Sequence, residues 1–247
     1  MVGVPLYSPD GSYLAFSAMP SDGSAGPDVY VWAVGDTSAK AITSDHDSWL
    51  SAWTGDGILV SRVTDGTPSA YRLDPASGDA VPIGGPGIWL PSVSPDGTSA
   101  AWWSGTVKLA ADGITWVPDS GKLVLGPWSD AGAGVGAQTL ARGPLDSWQV
   151  RWDEAGSVVA VWVDQVGSAL GGQLSLYRVD ATTNAPNLDA PILDAAPANP
   201  DFSLRTGRLA WTAPSDTAPQ TVEVLAWAGK AIGRLELRAD GSGAVLR

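Results

Sequence analysis

The sequence predicts an all-β fold assembled from repeated four-stranded antiparallel units, and three observations carry that expectation. Turn-forming residues are abundant: 30 Gly and 19 Pro in 247 residues make up about a fifth of the chain, against an average usage near ~12%. Glutamate occurs only at positions 154, 223 and 236 and lysine only at 40, 108, 122 and 230. The residues that usually build exposed helix faces are therefore nearly missing. Finally, an apolar or aromatic residue, a turn, a glycine and an apolar run recur in that order down the chain.

Taken in order, Val2 to Tyr7 reads as a strand, and Tyr7-Ser8-Pro9-Asp10-Gly11 turns it into Tyr13-Leu14-Ala15-Phe16. Pro presets φ at the second turn residue, Asp suits the third, and Gly accepts the exit conformation. Val93-Ser94-Pro95-Asp96-Gly97 repeats the turn before Ser99-Ala100-Ala101-Trp102. Trp53-Thr54-Gly55-Asp56-Gly57, Trp152-Asp153-Glu154-Ala155-Gly156 and a weaker copy ending at Gly207 follow the same plan. After each hairpin comes a second pair of strand-like runs, such as Val29-Tyr30-Val31-Trp32 then Lys40-Ala41-Ile42, and Ala70-Tyr71-Arg72-Leu73 then Ala80-Val81-Pro82-Ile83. Later counterparts are Leu174 to Val179 and Thr221 to Leu225.

Four strands per repeat is the β-propeller count, and the anchor glycines 11, 57, 97, 156 and 207 stand 40 to 59 residues apart, near or above the ~40 to 45 of one blade. The expectation is one β-propeller domain over residues 1–247, itself a piece of a longer protein. Five four-stranded antiparallel blades are favoured. A sixth stays open as an alternative, because Trp128-Ser129-Asp130-Ala131-Gly132 sits inside the longest gap. The segments 2–7 and 244–246 are candidates for closing the ring.

The wording Ser-Pro-Asp-Gly-x-x-Leu-Ala-Phe, spelled out at residues 8–16 and begun again at 94–97, resembles the TolB-like β-propeller repeat, related in shape to WD-repeat propellers. The resemblance is at motif level. It implies a propeller, often outside the bacterial cytoplasm, that serves as an interaction surface or as an accessory domain to an enzyme or a membrane-anchored regulator. High Ala, Gly, Asp and Trp with arginine outnumbering lysine suits a GC-rich bacterial genome.

Composition also excludes functions. With 14 basic and 26 acidic residues the formal charge is −12, which repels phosphate backbones and anionic lipid, so no nucleic-acid partner is expected. No run approaches the ~18 apolar residues of a membrane helix, so no direct membrane insertion is expected of this segment. Without cysteine there is no disulfide and no thiolate metal site. No cofactor and no metal are expected. The single histidine, His46, stands in Ser44-Asp45-His46-Asp47-Ser48. That loop reads either as an imidazole with a carboxylate orienter or an oxygen-lined cation site, or as a solvated acidic connection between blades. No nucleophile elbow, phosphate loop or dinucleotide fingerprint occurs, so the chain is expected not to be an enzyme.

Thirteen tryptophans are the most unusual feature. Trp102 and Trp103 point to opposite faces of one strand, and both can be core. Trp49, Trp89 and Trp148 each lie eight residues before an anchor glycine. That shared offset predicts shared placement near the ring axis, as a plug or as a binding face with Trp128, Asp45, His46 and Asp47. The functional expectation is a non-catalytic extracytoplasmic propeller of the cell envelope, acting in protein interaction or sensing. Its alternatives are a glycan-binding module using surface tryptophans and an accessory domain of a hydrolase or lyase. The partner is a protein, peptide or glycan.

Overall fold

A computed structural model describes residues 2–23, 26–129, 136–167, 172–188, 193–195, 202–205, 207–213, 221–226, 231–237 and 244–246. Among the described residues there is no helix. The strands form five antiparallel sheets, each built from consecutive strands. The first holds β1 (Val2–Tyr7), β2 (Tyr13–Ala18), β3 (Asp28–Ala33) and β4 (Lys40–Ala41). The second holds β5 (Trp49–Thr54), β6 (Gly57–Thr64), β7 (Thr67–Leu73) and β8 (Ala80–Ile83). The third holds β9 (Ile88–Val93), β10 (Ser99–Leu109), β11 (Trp116–Pro127) and β12 (Gln138–Arg142). In the fourth, β13 (Leu145–Trp152), β14 (Val158–Gln165) and β15 (Gln173–Asp180) are followed by β16 (Ala185–Pro186) and β17 (Leu193–Ala195), both paired to β15. The fifth runs through β18 (Phe202–Arg205), β19 (Arg208–Ala213), β20 (Thr221–Ala226), β21 (Ala231–Leu237) and β22 (Ala244–Leu246). Each end strand pairs its sequence neighbour, β1 with β2 and β22 with β21. The chain divides into two compact units, residues 1–93 with 97–144, and 94–96 with 145–247.

The hairpin turns form as their chemistry predicts. Asp10 Oδ1 accepts from Ser8 Oγ at 2.6 Å and from the Ser12 N–H at 3.0 Å, and Gly11 takes a φ of 73°. Those bonds favour the charged carboxylate and hold Asp10 below its ordinary pKa. Ser94 and Asp96 repeat the contact at 2.5 Å. In the fourth sheet Asp153 takes over, accepting from Ser157 Oγ and the Val158 N–H, both at 2.9 Å.

The second sheet buries apolar side chains on both faces. Ile58, Val60 and Leu73 face the first sheet, where they pack with Ala15 and Val29. Leu59, Ala70 and Ile83 face the third, where they meet Ile88, Ala100, Trp102 and Val124. In the second unit, Val158, Ala160, Trp162, Leu174 and Leu176 pack on Phe202, Leu204, Leu209 and Trp211. Trp102 and Trp103 point to opposite faces and are both buried. Glycine makes room for the second: a Cβ at Gly143 would collide with the Trp103 ring. On the far side of the first sheet Tyr7, Leu14, Phe16, Tyr30 and Trp32 share one face and none is buried.

A polar latch repeats between sheets of the first unit. Ser17 Oγ on β2 donates to Ser48 O at 3.2 Å and accepts from the Leu50 N–H at 2.9 Å. One sheet later the buried Ser61 on β6 accepts from the Leu90 N–H at 2.9 Å. Both donor N–H groups, of Leu50 and Leu90, lie beside a register irregularity in the first strand of the receiving sheet. Such an irregularity re-aims backbone groups out of their own ladder.

The longest glycine gap has a different origin from an extra blade. Residues 116–127 and 138–142 are the third and fourth strands of the third sheet. The surplus is the long β10–β11 hairpin, which pairs out to Leu109 and Trp116 and lies against the β6–β7 turn, with the Val107 N–H donating to Gly66 O at 2.8 Å. Trp128 follows β11, and Gly132 lies outside the described residues.

Removing the second latch has a defined cost. Ser61→Ala leaves the Leu90 N–H without its acceptor and is expected to lower unfolding free energy by about 1 to 3 kcal/mol, read by urea denaturation. An unchanged midpoint would show that the latch contributes nothing.

Candidate functional site

The connection between the first two sheets is wired shut. Asp28, buried at the start of β3, accepts from Thr43 Oγ1 at 3.0 Å and from the His46 N–H at 3.1 Å through Oδ1. His46 Nδ1 lies 2.8 Å from Asp28 Oδ2. Asp45 receives the Asp47 N–H at 3.0 Å and Ser48 Oγ at 2.8 Å, and pairs with Arg62 at 2.7 Å. Arg62 also sits 4.7 Å above the Tyr71 ring. Asp47 accepts from the Val63 N–H at 2.6 Å and from Trp49 Nε1 at 3.3 Å. His46 has a φ of 58°, and its carbonyl approaches Gly26 so closely that a Cβ there would collide with it. The imidazole and all three carboxylates thus hold the chain path between β3, β5 and β6. Among the described residues no group of three His, Asp or Glu is arranged to hold a metal ion.

Burial pushes the Asp47 carboxyl above its ordinary value, more than the Val63 and Trp49 hydrogen bonds pull it down. The folded state therefore disfavours the ionised form. This stability is present while Asp47 is protonated and is lost as pH rises from the ordinary carboxylate range through the raised folded value.

The tryptophans do not share one placement. Trp49 and Trp89 are both buried, and their rings lie 5.8 Å apart, tilted by 58°. Trp49 stands opposite Ser61 and Trp89 opposite Trp103. Trp148 instead stands opposite Val163, while Gln149 takes the place opposite Trp162. Trp148 therefore lies on the face away from Trp162 and is half-buried. A common count to the anchor glycine fails because the irregularity falls after Leu50 in β5 but before Ser147 in β13. One residue of slip turns a side chain to the other face.

An open site lies instead between the second and third sheets, at the strand ends that carry the β5–β6 turn. Its lining joins three apolar side chains, Leu59, Val93 and Trp128, to Thr54, Asp56, Arg72, Gly97 and Ser129. Its cavity volume is about 160 Å³. The two-residue turn is held by Thr54 Oγ1, which donates to Gly57 O at 3.2 Å and accepts from the Asp56 N–H at 3.3 Å. Trp128 is fixed by its N–H on Thr98 O at 2.9 Å and by the Trp102 ring 5.8 Å away, and one part of its indole stays exposed. Sequence reasoning singled out Trp128 and missed Thr54, Asp56, Arg72 and Val93. One signal was present: Arg72 shares its β7 face with the buried Ala70, so a charge stands at an inward position.

No protein-family model and no curated protein matches this chain. Solved structures do match. TolB from Acinetobacter baumannii is similar with a TM-score of 0.56 at 14% identity, over 98% of this chain and 55% of that one. The β-propeller domain of the trilobed protease from Pyrococcus furiosus matches at 0.53 and 14% identity, over 93% and 69%. A puromycin-hydrolyzing peptidase from Mycobacterium tuberculosis matches at 0.55 and 13%, over 94% and 38%. The chain thus has the β-propeller fold of TolB-like proteins, and spans about half the length of the TolB chain it matches.

Two measurements check the structural roles. Trp89→Ala, at 1% exposure, is expected to cost about 3 to 5 kcal/mol of folding stability, as for other truncated buried aromatics; a denaturation midpoint within error of the parent would mean that the indole is not packed. For Asp47→Asn, the stability difference from the parent should move in favour of Asn as pH rises from about 4 to neutral. A difference independent of pH would contradict the burial of Asp47.

Proposed function

We propose that this chain is a non-catalytic protein-interaction domain, and that the cleft between its second and third sheets receives the partner. The observation that carries the reading is the half-buried Trp128 indole, which lines the cleft with Leu59 and Val93 beside the polar and charged Thr54, Asp56 and Arg72. Interface anchors are enriched in this arrangement, in which an aromatic wall supplies contact area and a polar rim supplies orientation. The only histidine supports it from the other side. His46 is committed to Asp28 at the opposite end of β5, a strand length from the cleft, so the cleft holds no imidazole base. Motif resemblance and fold likeness to TolB support an extracytoplasmic place in the cell envelope, in a membrane-anchored regulator or lipoprotein.

A second reading, an accessory propeller of a hydrolase, is favoured by the fold likeness to puromycin-hydrolyzing peptidase. The two differ in what sits beside the cleft: a separate partner in the first, the chain's own catalytic domain in the second. A photo-crosslinking residue at the exposed Ser129, with the same residue at the exposed Ser21 as control, separates them in envelope fractions. The interaction reading expects discrete intermolecular adducts from position 129 and none from 21. Purely intramolecular adducts at 129 would favour the accessory domain, and adducts from 21 alone would remove the cleft from consideration.

A further inference from the structure

The cleft also has a chemical preference, and this inference rests on the interaction reading. In an antiparallel sheet the turn after the first strand and the turn after the third lie at the same edge. In the first two sheets those four turns carry Asp10, Asp36, Asp56, Asp74 and Asp79, against Lys40 and Arg72. Local hydrogen bonds keep two of these carboxyls ionised well into acid: Ser8 and the Ser12 N–H for Asp10, the Ser77 and Ala76 N–H groups for Asp74. Five carboxylates against two cations leave the first two sheets negative at this edge. Lys40 Nζ donates to Ala76 O at 3.4 Å, and Arg72 already has a partner. At the other edge of the same unit Asp45 pairs with Arg62 at 2.7 Å and Asp119 with Lys108 at 2.8 Å. The edge where the cleft opens is therefore acidic on balance.

Size sets the second condition. The cleft measures about 160 Å³, close to the volume of a cavity that takes a benzene ring, and it is lined by Leu59, Val93 and Trp128 together with the polar Thr54, Asp56, Arg72 and Ser129. It holds one aromatic or branched aliphatic side chain and little more. We infer that the cleft binds a short peptide segment in which a single apolar or aromatic anchor is flanked by lysine or arginine. The anchor lies on Leu59, Val93 and Trp128, while the flanking cations face Asp56 and the acidic turns. Potentials complementary in this way fix register and speed encounter, and they weaken as salt shortens the screening length.

The chain has no cysteine, so Ser129→Cys and Ser21→Cys each accept one environment-sensitive fluorophore. The probes are capped synthetic peptides: Lys-Lys-Trp-Lys-Lys, its Glu-flanked counterpart Glu-Glu-Trp-Glu-Glu, and the anchorless Lys-Lys-Gly-Lys-Lys. The expected result is a saturable emission change at position 129 and not at 21. Lys-Lys-Trp-Lys-Lys should bind about tenfold or more tightly than either control at low salt, and lose affinity as salt rises. Asp56→Lys, an exposed change with little bearing on folding, should reduce that preference at least about threefold. Equal or tighter binding of the Glu-flanked peptide, equal binding of the anchorless one, or a preference unmoved by Asp56→Lys overturns the inference. So does a response at 129 to a neutral oligosaccharide and to no peptide. Silence toward every probe also overturns it. Intermolecular protein adducts at Ser129 in envelope fractions would then still leave the interaction reading standing.

Discussion

Face-to-face packing of one sheet on the next is the constraint from which the rest of this molecule follows. A four-stranded sheet with two apolar faces cannot be stable alone, because each face must be removed from water by a neighbour. The second sheet shows the rule most completely. Ile58 and Val60 serve one neighbour while Leu59 serves the other, in strict alternation along one strand. Two buried serines act as latches across these interfaces: Ser17 and Ser61 each accept from a backbone N–H of the following sheet. Once sheets are bound in this way, the wedge between two of them can be filled completely or left open at one end.

That choice explains where the candidate site lies. At the edge opposite the β5–β6 turn, Trp49 and Trp89 pack together, and the Asp28, His46, Asp45 and Asp47 network seals the connection. At the edge carrying the β5–β6 turn, Arg72 occupies an inward position and Trp128 leans on Trp102 without closing the gap. The cleft is thus an unfilled portion of an interface whose walls are already held by packing.

Much of the fold was legible because turn chemistry is local. Ser-Pro-Asp-Gly and its variants announced the hairpins, and the alternation at Trp102 and Trp103 announced a sheet buried on both sides. The site was less legible, because position across a sheet depends on register. Trp49, Trp89 and Trp148 share a spacing to the anchor glycine, yet a one-residue difference in where the strand bulges sends Trp148 to the other face. Likewise the long gap after Gly97 invited an extra blade, when its surplus residues extend one hairpin. His46 looked available for chemistry in sequence, yet its Nδ1 and the Asp45 and Asp47 carboxylates are taken up in holding the chain.

Hydrogen exchange followed by mass spectrometry, on the chain with and without the partner captured at Ser129, tests most directly whether the open wedge is the working surface. Slowed exchange confined to residues 54–59, 70–73 and 97–99, with residues 42–48 and 105–121 unchanged, is the result that packing and charge predict. Protection confined to residues 42–48 and 105–121, with the turns around the cleft unaffected, would contradict it.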